Sequence, residues 1–127
     1  MNKVEEEMFV RTFIQSSKQE RYLFLLAHPK RRKDILGRLS HSLDYNPAYA
    51  RKLDAKEDVE TLLQQKGAGD TCYVISEYSD MDGQTLPLSE AIRQAKRLGS
   101  SILCCVPGRL AYYESEAPAK PVLLEKR

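Results

Sequence analysis

The run Thr71-Cys72-Tyr73-Val74-Ile75-Ser76-Glu77-Tyr78 decides how this chain is read. It is rich in β-branched and aromatic residues, and its apolar side chains fall on both alternating faces. That is the pattern of an inner strand covered on each side. Downstream, Leu88, Ala91, Ile92, Ala95 and Leu98 return to helical spacing, Gly99 closes the helix, and residues 101–106 (SILCCV) read as a second strand. Strand, helix and strand in succession form a β-α-β unit, with a right-handed crossover if the two strands are parallel neighbours. Residues 80–87 could also form a small hairpin arm, with Asp82-Gly83 as its turn. Pro107-Gly108 supplies a turn, residues 109–114 a third strand, 118–121 a break, and 122–125 a fourth strand.

Upstream of this run the period is helical. Asn2 and Glu5 have capping-box spacing, and Glu5, Glu6 and Glu7 lie where the helix dipole favours negative charge, which predicts a helix over residues 3–15. Ser17 and Glu20 repeat the signature before residues 22–27, which read as a central helix buried on every side. Pro29 disfavours helical geometry at His28 and is expected to open a new helix, whose stripe Ile35, Leu36, Leu39 and Leu43 spans roughly 100° of the projection. Residues 44–52 read as a loop or irregular turn around Asn46-Pro47. Asp54 and Glu57 look like a third capping box, for a short helix ending near Lys66 before Gly67 and Gly69. The expected architecture is α+β: one domain over residues 1–127, its N-terminal helical layer (1–66) packed on a small mixed sheet (67–127) containing one β-α-β unit.

Composition narrows the function classes. A chain of 127 residues with 42% hydrophobic and 30% charged side chains belongs to the globular class. The longest apolar stretch, six residues from Tyr22, is far short of a membrane span, and no membrane partner is expected. The acidic triplet near the start is unlike a secretion signal. Cys72, Cys104 and Cys105 are an odd number in a chain able to stabilise itself by burial, so free thiols and a cytoplasmic location are expected. The net charge is +2, yet residues 28–56 carry 8 basic side chains against 3 acidic ones.

That concentration holds the principal functional signal. Lys30, Arg31, Lys33 and Arg38, with Arg51 and Lys52 in support, could contact phosphates or an acidic protein surface. The opposing reading is an ordinary solvated face, because Asp34 is four residues from both Lys30 and Arg38. The run offers no base-reading set, so sequence-specific DNA recognition is not expected. A second constellation, Glu77, Asp80 and Asp82 with Arg109 near a substrate, would suit a small metal-assisted hydrolase or nuclease. A calcium loop starting at Tyr78 lacks two strong oxygen donors and is rejected. The tyrosines at 112 and 113 suggest a self-associating module if their strand lies at a sheet edge, making a homo-oligomer possible.

His28 and His41 have no zinc-ligand spacing to the cysteines, so neither a metal nor a cofactor is expected. P-loop, G-x-G-x-x-G, H-E-x-x-H and G-x-S-x-G patterns do not occur in the chain. The expected function is therefore non-catalytic: a cytosolic binding or regulatory protein that engages an anionic partner, nucleic acid or acidic protein, through a basic helix.

Overall fold

A computed structural model describes residues 1–54, 56–115 and 120–126. The chain forms helices α1 (Lys3–Phe13), α2 (Gln19–Ala27), α3 (Asp34–Ser42), α4 (Val59–Gln65) and α5 (Leu88–Leu98). Its strands are β1 (Ala50–Lys52), β2 (Thr71–Ser76), β3 (Thr85–Pro87), β4 (Ser101–Val106), β5 (Leu110–Glu114) and β6 (Val122–Glu125). The six strands make one sheet in the order β1-β6-β5-β4-β2-β3.

The fold is α+β and single-domain, but the sheet is antiparallel at every pairing rather than mixed. β2, α5 and β4 do follow one another, and β2 and β4 are neighbours. The hairpin partner β3 intervenes and reverses the chain once more, so β4 returns antiparallel to β2, while β3 and β4, each antiparallel to β2, run parallel on either side of it and are joined through α5. The turn at Asp82-Gly83 enables this: Gly83 has φ 77°, a left-handed conformation that glycine adopts without steric cost.

Alternation along the strands builds two cores. Tyr73, Ile75, Ile102, Cys104, Ala111 and Tyr113 face α1, α2 and α3, packing on Phe9, Phe13, Tyr22, Ile35 and Leu39. Cys72, Val74, Leu103, Cys105, Tyr112 and Leu123 face the other way, onto Val59, Leu63, Leu88, Ala91 and Ala95 of α4 and α5. The sheet is thus sandwiched, which is why β2 and β4 read as continuous apolar runs. The helices of residues 1–66 do not form one layer, since α4 crosses to the face covered by α5.

Local signals explain the element ends. Asn2 Oδ1 accepts from Glu5 N–H at 3.1 Å and Asn2 Nδ2 donates to Glu5 Oε2 at 3.1 Å, so the first cap forms as expected. The second does not: Ser16–Lys18 makes a 3-10 turn, and α2 starts without a side-chain cap. Nor is α2 buried on every side, for Phe24 is 53% exposed. Residues 29–33 form successive turns and α3 begins at Asp34, so Pro29 does not open a helix. Leu43, expected on the apolar stripe of α3, instead ends that helix in a left-handed conformation, φ 52°, and is half-exposed.

The cap of α4 is Asp58, whose carboxylate accepts from Thr61 N–H at 3.2 Å, and not Asp54. The irregular turn expected around Asn46-Pro47 is a 3-10 turn over residues 47–49, whereas residues 50–52 form the edge strand β1, which the reading of 44–52 does not include. Of the break expected at 118–121, residues 118 and 119 lie outside the described residues.

Candidate anion-binding site

The basic run lies on the turns that lead into α3, and one member of it is internal. Arg32 is 4% exposed, and each of its five N–H groups has an acceptor. Nη1 and Nη2 donate to the two carboxylate oxygens of Glu6 at 2.8 and 2.7 Å. Nε and Nη2 donate to the two oxygens of Asp82 at 2.8 and 3.0 Å, and Nη1 also reaches Leu26 O at 3.0 Å. Tyr73 O–H donates to Glu6 Oε2 at 2.6 Å, and Ser76 N–H to Asp82 Oδ1 at 3.1 Å. Burial by itself would lower the Arg32 pKa, but the hydrogen bonds to Glu6 and Asp82 outweigh it and the guanidinium is held charged above its ordinary value. A buried charge is tolerated only when paired and fully hydrogen-bonded, and this one is.

Turning Arg32 inward sends its neighbours outward. Arg31 and Lys33 are exposed and, with Arg38 one turn into α3, line a shallow groove of about 430 Å³ whose other walls are Asp34, Gly37 and Glu77. Arg31 Nε meets Asp34 at 2.9 Å, but both side chains are solvated, 57% and 41% exposed, so the pair holds the guanidinium weakly. Lys30, Lys33 and Arg38 have no salt bridge among the described residues. Lys30 is exposed on the same turn, outside the groove lining.

The supporting cations are elsewhere. Arg51 and Lys52 lie on β1, at the end of the sheet order opposite to the hairpin, and do not line the groove. Arg51 pairs with Glu57 at 3.6 Å, while Lys52 borders a separate cavity of about 360 Å³ beside Tyr45 and Tyr113.

The acidic constellation is dispersed. Both oxygens of Asp82 are committed to Arg32, Asp80 is exposed on the hairpin turn, and Glu77 borders the basic groove. The β2–β4 register sets Ser76 opposite Ser101, which places the turn bearing Arg109 at the other end of these strands from the three carboxylates. Among the described residues, no group of three or more His, Cys, Asp or Glu side chains could hold a metal ion.

The tyrosine strand is internal. β5 lies between β4 and β6, and Tyr112 and Tyr113 are buried, so the expectation of an edge there is corrected. The actual edges are β1, bearing Arg51 and Lys52, and β3, ending in Pro87, both of which discourage edge pairing. No described helix is long and apolar enough to cross a membrane.

Sequence reasoning missed the inward carboxylate Glu6, and a signal for it existed. Glu6 precedes Phe9, Val10 and Phe13 by three, four and seven residues, which places it on the buried stripe of α1, where an acid requires a cation. Compared with known proteins, the chain matches no family model, no curated protein and no solved structure.

Proposed function

We propose that this protein is a non-catalytic cytosolic binding protein that engages an anionic partner, nucleic-acid backbone or an acidic protein surface, through Lys30, Arg31, Lys33 and Arg38. The observation that carries this reading is the division of labour in the basic run. Arg32 is buried as an anchor, and Arg31 and Lys33 on either side of it are held outward beside Arg38 around one groove. Pinning the turn lowers the entropy lost when those side chains meet a partner. Mechanistically, the binding is charge complementarity between mobile cationic heads and regularly spaced anions. Glu77 and Asp34 on the groove walls disfavour close approach of a lone carboxylate and favour a ligand carrying several charges.

The test is a salt titration of binding to a fluorescent duplex DNA and to an acidic peptide. If four phosphates are neutralised, log affinity for the duplex falls with log salt at a slope of about −3.6, at about −0.9 per phosphate. A salt-insensitive interaction, or no binding to either polyanion at low salt, overturns the proposal.

A further inference from the structure

β2 and β4 place two of the three cysteines, Cys72 and Cys105, in one core cluster on the same face of the sheet. Tyr73 stands opposite Cys104 and Val74 opposite Leu103, and this register carried one pair beyond the end of the ladder sets Cys72 across from Cys105. The ladder bonds define what kind of position this is. Val74 N–H donates to Gln84 O at 2.9 Å and Val74 O accepts from Gly83 N–H at 2.8 Å, so even-numbered residues of β2 bond toward the β3 hairpin. Glu77 N–H, continuing the strand, donates to Ser100 O at 3.1 Å on the β4 side, as odd-numbered residues should. By this alternation the pair next after Tyr73 and Cys104 is a non-hydrogen-bonded cross-strand position, a type whose Cα atoms stand about 4.5 Å apart in regular sheet. That separation lies within the span a disulfide bridges.

Packing selects the same pair. Both side chains belong to the cluster beneath α4 and α5, whereas Cys104 belongs to the cluster on the opposite face, with the sheet between. The register of β4 with β5 shifts between Cys104 and Val106, so Cys105 sits in an irregularity that gives its side chain room to re-aim. Its thiol makes a long contact, donating to Leu103 O at 3.7 Å. The position is also near the ends of its strands, with exposed Thr71 before Cys72 and exposed Pro107 two residues after Cys105.

We infer that Cys72 and Cys105 form a redox-responsive staple that a low-molecular-weight disulfide closes across β2 and β4, leaving Cys104 as a thiol. The thiolate of Cys105, the more exposed of the two, attacks one sulfur of the reagent. The reagent's S–S bond breaks and its departing thiolate takes a proton from water. The thiolate of Cys72 then attacks the Cys105 sulfur of the mixed disulfide, expelling the second reagent thiolate, which is protonated in turn. The two protein thiols lose two electrons and two protons, and one reagent disulfide becomes two thiols. Burial pushes the Cys72 thiol up to about 12 and raises that of Cys105 further, so closure is slow at neutral pH and quickens as the thiolate fraction grows.

The native protein is treated with 2-hydroxyethyl disulfide, then alkylated, digested and mapped by mass spectrometry, in parallel with Cys104→Ser and Cys72→Ser. The staple predicts a Cys72–Cys105 cross-linked peptide in wild type and in Cys104→Ser, none in Cys72→Ser, and reversal by dithiothreitol. Its initial rate should rise about tenfold per pH unit from pH 7 to 9, following the thiolate population. Pairing through Cys104, a mixed disulfide that never closes, or three intact thiols in folded protein whose unfolded form reacts fully would each overturn it. The wild-type peptide map decides the matter even if a variant fails to fold.

Discussion

Arg32 and Glu6, 26 residues apart, meet as a buried two-pronged pair, Nη1 to Oε1 at 2.8 Å and Nη2 to Oε2 at 2.7 Å, with Asp82 closing the other side of the guanidinium. This contact ties α1 to the turn before α3 and to the β2–β3 hairpin. It also separates the basic run into one structural member and several exposed ones.

Removing the cation should be far worse than removing the whole cluster. Arg32→Ala leaves the buried Glu6 and half-buried Asp82 carboxylates without a cation, with only Tyr73 O–H and Ser76 N–H as donors among the described residues, and a loss of about 3 to 5 kcal/mol is expected. The triple variant Arg32→Met, Glu6→Leu, Asp82→Asn strands no buried charge and should recover a large part of that loss. Urea unfolding of both proteins checks this. Equal destabilisation would mean that the cluster matters through shape and not through charge pairing.

The protein should weaken steadily in alkali. In the folded chain, burial raises the Cys72 thiol to about 12 from an ordinary 9.0, and the buried Cys104 and Cys105 thiols and Tyr22, Tyr73 and Tyr112 hydroxyls are raised as well. Below pH 9 both folded and unfolded thiols are protonated, and the full stability is present. Above it the unfolded chain ionises first, so stability falls as pH rises from 9 toward 12. The urea midpoint followed over this range in the presence of a reductant should decline, and Cys72→Ala should flatten the first part of the decline. A midpoint that stays constant up to pH 11 would contradict this.

Leu43 ends α3 at φ 52° with its side chain half-exposed. Leu43→Gly and Leu43→Ala lose the same side-chain contacts, but only glycine relieves the left-handed backbone. Leu43→Gly should be the more stable of the two by about 1 kcal/mol in thermal or urea unfolding. The reverse order would show that this backbone is not strained.

The α4 cap gives an acid-side prediction. Asp58 is held below its ordinary carboxylate range by the N–H and hydroxyl of Thr61. Its contribution is therefore present above the unfolded value and is lost as pH falls through the folded one. Asp58→Asn should keep the cap while removing that acid dependence, whereas Asp58→Ala should lose both, as read by unfolding between pH 5 and pH 2.

What was legible in the sequence was whatever a local pattern encodes. β2 and β4 announced their burial on both faces, α5 its apolar stripe, and Asn2 its cap, because each depends on neighbours within one or two turns or on a period of two. The hidden parts depend on distant partners. β1 is three residues long and exists only through its pairing with β6, and the direction of β4 turns on the short β3 inserted before α5. Arg32 looked like any member of Lys30-Arg31-Arg32-Lys33, since nothing within that run shows which side chain meets Glu6. The carboxylates at 77, 80 and 82 looked like a set, yet they separate because Asp82 answers the same buried cation.

Elution from immobilised heparin on a salt gradient tests the binding reading most directly, with wild type run beside Arg31→Gln/Lys33→Gln/Arg38→Gln and beside Arg51→Gln/Lys52→Gln. The groove variant loses three cations and the β1 variant two, all exposed or half-buried, so both should remain folded. Wild type should be retained, the groove variant should elute at markedly lower salt, and the β1 variant should elute close to wild type. Coincident elution of the groove variant and wild type, or no retention of wild type, would contradict the account.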